Sequence, residues 1–101
     1  MSTALSGFDW DDGNRAKCQA HGVSPAEVEA LFDRPLLIIP DEAHSRDERR
    51  LRAIGKTARG RSVFLVFTVR ERGGKHLIRP ITARYMHRKE VVSYEKDNPD
   101  L

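Results

Sequence analysis

The chain reads as an α+β domain: two N-terminal helices, a four-stranded antiparallel sheet, and a C-terminal helix. Three observations predict this. Ser24-Pro25-Ala26-Glu27 opens a helical pattern with a capping box and a proline at the first helical position. From Leu36 the apolar period switches from helical to strand-like. Turn residues at Pro40-Asp41, Gly60 and Gly73-Gly74 then divide the strand region into short pieces. With 101 residues, the chain makes one domain around one core. Residues 1–7 and 97–101 are expected to be flexible ends.

Taken in order, Phe8-Asp9-Trp10-Asp11 is a short extended piece ending in an Asp cap, leading into a helix over 12–20. Gly13 and a thin apolar pattern leave that helix weak alone, so packing through Trp10 must hold it. Gly22 stops it. The second helix carries Val28, Leu31 and Phe32 as its apolar stripe, with Val23 and Val28 in the staple positions. Leu36–Ile39 is a strand stopped by Pro40. Residues 49–56 alternate, with Leu51 and Ala53 on one side and Arg50, Arg52 and Ile54 on the other. Residues 62–69 are almost wholly apolar, as in a central strand covered on both faces. The strand over 76–83 contains Pro80, which predicts an outer position where no ladder donor is lost. On its alternation Arg79 shares a face with Ile81 and Ala83. Residues 88–96 form the last helix.

Charge is divided between the two halves. Residues 1–48 hold 4 Lys/Arg against 10 Asp/Glu, whereas residues 49–101 hold 14 against 5. A strand-borne cationic surface suits a polyanion, with nucleic acid the leading ligand; a solvated basic face is the bland alternative. No apolar stretch approaches the roughly 20 residues of a membrane span, and residues 1–12 lack the pattern of a signal peptide. The single cysteine, Cys18, fits a reducing cytoplasm and reads as a packing residue.

Three constellations carry potential chemistry. The loop 41–49 sets His44 among carboxylates, including Glu48, with Arg49 after them; a histidine beside a carboxylate serves as acid or base near neutral pH. The same loop also reads as a plain surface turn, and it has no metal-ligand spacing. Arg79 and Arg84 lie on and at the end of the last strand, where a guanidinium must reach an anion or solvent; a phosphate or the chain's own carboxylates, Glu90 or the acidic N-terminal half, both satisfy that. His87, Val91 and Tyr94 fall on one face of the last helix, with Tyr94 either an acid or a core residue.

In order along residues 8–95, the segments Phe8-Asp9-Trp10-Asp11, His21-Gly22-Val23-Ser24, Phe32-Asp33, His44-Ser45 with Glu48-Arg49, Ile54-Gly55, Ile81-Thr82-Ala83-Arg84 and Glu90 to Tyr94 resemble the BrnT family of toxins from type II toxin–antitoxin systems. The resemblance implies a RelE-like fold, metal-independent ribonuclease activity without a cofactor, and neutralisation by a BrnA-type antitoxin. That antitoxin's ribbon-helix-helix part would carry any contact with operator DNA. The chain departs from the commoner pattern in helix 1, where Asn14, Cys18 and Ala20 stand near expected lysine and asparagine places, and at His87, which replaces a small hydroxyl cap. As an endoribonuclease, the chain is expected to hold phosphate charge with Arg79 and Arg84, helped by Arg49. His44 or Glu48 takes the proton, and Tyr94 or His87 returns one. The rival reading is a non-catalytic binder of RelE-like fold.

Overall fold

A computed structural model describes residues 5–42 and 48–97. Its elements are β1 (Leu5–Phe8), α1 (Asp12–Ala20), α2 (Pro25–Leu31), β2 (Leu37–Pro40), β3 (Leu51–Lys56), β4 (Ser62–Arg72), β5 (Lys75–Tyr85) and α3 (Arg88–Asp97). The strands form one five-stranded sheet in the order β1-β5-β4-β3-β2. From β2 to β5 it is the antiparallel meander that the alternation predicts. The four-stranded expectation fails at β1, which pairs parallel with β5 and makes the sheet mixed. A piece this short, interrupted by Gly7 at φ 141, has no local strand signal. Long-range contacts hold it: Phe8 stacks edge-on against Phe32 at 5.4 Å, and Phe32 against Phe67 at 5.6 Å. Residues 5–7 therefore belong to the sheet and are not a loose end.

Local chemistry sets the helix starts. Asp11 caps α1 by accepting from the Asn14 backbone N–H at 2.9 Å, and the Asn14 side chain accepts from the Asp11 N–H at 2.8 Å. Ser24 and Glu27 form the same reciprocal box at α2. Trp10 packs against the core and donates its indole N–H to Glu29 of α2 at 2.9 Å, which supplies the tertiary hold that α1 lacks by itself. Gly22, at φ +82, takes the left-handed conformation that ends α1.

Cys18, Val23, Val28 and Leu31 from the helical half meet Ala53, Val63, Leu65, Phe67, Ile78 and Ala83 of the sheet in one buried core. Helices α1 and α2 thus cover one sheet face. The other face presents Ile54, Phe64, Val66 and Thr68, and α3 crosses one end of it through the Arg84–Glu90 and Lys56–Glu95 pairs. α3 itself buries no residue completely.

Two strand expectations need correcting. Pro80 is fully buried, and β5 is flanked by β4 and β1, so it is not the outer strand. The proline is tolerated because pairing with β1 ends at Ile78 and the β4 register slips beside it: Val66 faces Thr82 while Phe67 faces Pro80. The extra residue, Ile81, is a β-bulge. It also reverses the alternation, so Arg79 does not share a face with Ala83. Ala83 lies on the core side opposite Leu65, whereas Arg79 lies opposite Thr68 on the other face.

Candidate functional site

The bulge decides which arginines can act together. Five positions separate Arg79 from Arg84, an odd spacing that would put them on opposite faces of a regular strand. With Ile81 inserted, Arg79 pairs with Thr68 and Arg84 with Phe64, and both project from the face away from α1 and α2. Arg52, opposite Val66, and Arg70, opposite Leu77, share that face. With Arg72, two residues beyond Arg70 on β4, the result is five guanidinium groups on one side of three neighbouring strands. Arg52 Nε is buried there without a hydrogen-bond partner, an orphan donor in a molecule that otherwise satisfies its buried side-chain polar atoms among the described residues.

These cations are not bare: of the two alternatives open for Arg79 and Arg84, the chain's own carboxylates hold both. Arg84 donates from both terminal nitrogens to Glu90, at 2.8 and 2.9 Å. The same carboxylate accepts the His87 backbone N–H at 2.9 Å, which is the glutamate half of a capping box; the half that a hydroxyl at position 87 would make is a different contact. The Arg84 fork and then the His87 N–H hold the Glu90 pKa down at about 2. Arg79 donates to Asp11 at 2.6 Å and lies 3.6 Å from Asp9, which also accepts from Arg72 at 3.0 Å. The Asn14 N–H, followed by Arg79, lowers the Asp11 pKa. Arg70 grips Glu48 with two nitrogens, at 3.1 and 3.2 Å. That contact pulls the Glu48 pKa down, making it a weaker base than an isolated glutamate.

The site therefore has two ends. At one, β5 meets α3 and brings Arg84, Glu90 and the exposed His87 together. At the other, Arg79 borders a groove of about 480 Å³ whose walls include Asp11, Asn14, Lys17 and Pro80. A second groove, about 430 Å³, is lined by Glu48, Arg49 and Thr68. Thr68 donates its hydroxyl to the Arg49 carbonyl at 2.7 Å, leaving the Arg49 side chain exposed. Tyr94 sits half-buried one helical turn beyond Glu90, and desolvation raises its pKa, keeping the phenol protonated. His44 lies outside the described residues. Among the described residues, no group of three or more His, Cys, Asp or Glu side chains is arranged to hold a metal ion.

Sequence reasoning named the cations but not their restraints. Asp11 reads as a helix cap and the acidic N-terminal half as a general partner for the arginines, but nothing local shows that β1 will lay Asp9 and Asp11 beside β5. Glu90 was in view, six positions from Arg84, as one of two alternatives.

Arginines stand together on one face of the sheet of this small α+β protein, with Arg70, Arg79 and Arg84 each paired to a carboxylate. The family model for the BrnT ribonuclease toxin of type II toxin–antitoxin systems matches residues 10–90, and the chain belongs to that family. Comparison with curated proteins gives no match. The matched span runs from Trp10 through Glu90 and so includes Arg79, Arg84 and Glu48. No helix among the described residues is long and apolar enough to cross a membrane.

Proposed function

We propose that the chain is a metal-independent endoribonuclease acting in the cytoplasm, neutralised by a BrnA-type ribbon-helix-helix antitoxin through which the complex contacts operator DNA. The observation that carries the reading is the bulge at Ile81, which turns Arg79 and Arg84 to the same face of β5 in a chain of a ribonuclease-toxin family. A regular strand would have separated them.

In the proposed reaction the 2′-hydroxyl loses its proton to a base and its oxygen attacks the adjacent phosphorus. The bond to the 5′-oxygen breaks, and that oxygen takes a proton from an acid. The products are a 2′,3′-cyclic phosphate and a free 5′-hydroxyl. Arg84 stabilises the charge that grows on the phosphoryl oxygens, with RNA phosphate taking the place of Glu90 in its fork. His87, beside that pair, returns the proton; Tyr94 is the alternative acid. His44 takes the first proton; Glu48, the other candidate, is gripped by Arg70 about 20 Å along β4 from the Phe64 position opposite Arg84, at roughly 3.3 Å per residue, too far to serve there. Arg79 and Arg49 bind flanking phosphates, because Arg79 starts roughly 15 Å from Arg84 at about 3.3 Å per strand residue.

The test is purified protein incubated with RNA in excess EDTA. Cyclic-phosphate fragments are expected, reduced by about 10²–10³-fold in Arg84→Ala. Intact RNA with salt-sensitive gel retardation would instead identify a non-catalytic binder. A folded Arg79→Ala, Arg84→Ala protein that still arrests growth in cells would remove both arginines from the mechanism.

A further inference from the structure

A second cluster, outside the residues used above, lies where β4 begins and β5 ends. Arg61 lays its guanidinium flat on the Tyr85 ring, 3.5 Å from the centroid. Tyr85 cannot swing away: its hydroxyl donates to Glu27 Oε2 at 2.6 Å and lies 3.3 Å from the Gly22 carbonyl. Glu27 is held in turn by the α2 capping box, so the ring is anchored to both helices of the N-terminal half. The backbone beneath Arg61 is equally fixed. Thr57 N–H donates to the Arg61 carbonyl at 2.9 Å, and Arg61 N–H to the Thr57 hydroxyl at 3.2 Å, closing a turn around Gly60 at φ +80.

Arg61 is exposed and enters none of the ion pairs found among the described residues, unlike Arg70, Arg72, Arg79 and Arg84. The Tyr85 ring covers the guanidinium from one side. Tyr85 points to the helical side of β5 and Arg84 to the other side, so the two side chains flank the strand end from opposite faces of the sheet. We propose that Arg61, stacked on Tyr85, is a nucleobase-stacking subsite for single-stranded RNA, round the end of β5 from Arg84. A planar cation held in place by an aromatic ring loses little freedom when a base settles on its outer face, and any base offers a π-surface. The inference rests on the ribonuclease reading and adds the residue that engages a base.

The experiment measures binding of short fluorescent 2′-O-methyl RNA, which lacks the attacking hydroxyl and stays intact, to the full chain. Arg61→Ala is expected to weaken binding about tenfold and to flatten the log K against log salt slope by about 0.7. Arg61→Lys restores the slope but not the affinity, because an ammonium carries the charge without the planar face. The loss is larger for adenylate than for uridylate oligonucleotides. Thermal melting confirms that both variants fold. Full recovery by Arg61→Lys would reduce the contact to simple charge and overturn the subsite, as would unchanged binding in Arg61→Ala. If the wild type cleaves unmodified RNA while either result holds, only the subsite fails. If it neither binds nor cleaves RNA, the ribonuclease reading fails with it.

Discussion

Asp11 does two jobs that a single substitution separates. It caps α1 and it holds Arg79 at 2.6 Å. Asparagine caps a helix about as well as aspartate but carries no charge. Asp11→Asn is therefore expected to leave the melting temperature nearly unchanged while strengthening RNA binding several-fold, with the salt slope steeper by about 0.7 as Arg79 gains a phosphate. A variant that melts normally and binds RNA no better would show that Asp11 does not compete with the ligand. Glu90 makes a pH prediction. Its folded pKa of about 2 lies below the ordinary 4.5, so the Arg84–Glu90 pair stabilises the fold fully above about pH 4.5 and the benefit disappears as pH falls through about 2. Thermal midpoints of wild type and Glu90→Gln, measured between those limits, should converge towards the acid end. At this scale the sequence was informative about which cations matter and nearly silent on what restrains them. A side chain's charge is legible in the chain; its nearest neighbour across β1 and β5 is not.

At the level of elements, β5 depends on one buried amide. Asn14 donates to the Asp9 carbonyl at 3.0 Å and the Pro80 carbonyl at 2.8 Å, besides completing the α1 cap. It therefore seals the stretch of β5 left unpaired where β1 stops. Asn14→Ala would strand the Pro80 carbonyl in the interior and lose half the capping box, costing about 2–3 kcal/mol. Calorimetry should then show a melting temperature about 10–20 °C lower. Residue 14 was legible only as a departure from a family pattern. The capping box of α2, the Gly73-Gly74 hairpin and the alternation of β3 were all readable because their causes lie within a few residues. β1 and the Ile81 bulge were not, since one is specified by a distant aromatic cluster and the other by register against β4. The bulge matters most to the site, and Pro80 was its one visible sign.

For the whole molecule, the division of charge acquires a different meaning once folded. The acidic first half does not merely precede the basic second half. Asp9, Asp11 and Glu48 reach across to Arg72, Arg79 and Arg70, so part of the cationic excess is neutralised by the fold itself. Reading the two halves separately overstated how much positive surface is free, because pairing across the sheet is a property of topology. Arg84 and Lys56 are instead satisfied from within their own half, by Glu90 and Glu95.

Cys18 has a practical consequence. The thiol is wholly enclosed between α1 and the sheet, and burial pushes its pKa up. It is thus a built-in clock for spontaneous opening: a maleimide dye can react only when that interior comes apart. Mass spectrometry of labelling over time should show modification in denaturant within minutes but in buffer only at the pace of opening. Rapid capture by the native protein would mean that α1 lifts from the sheet far more often than its packing implies.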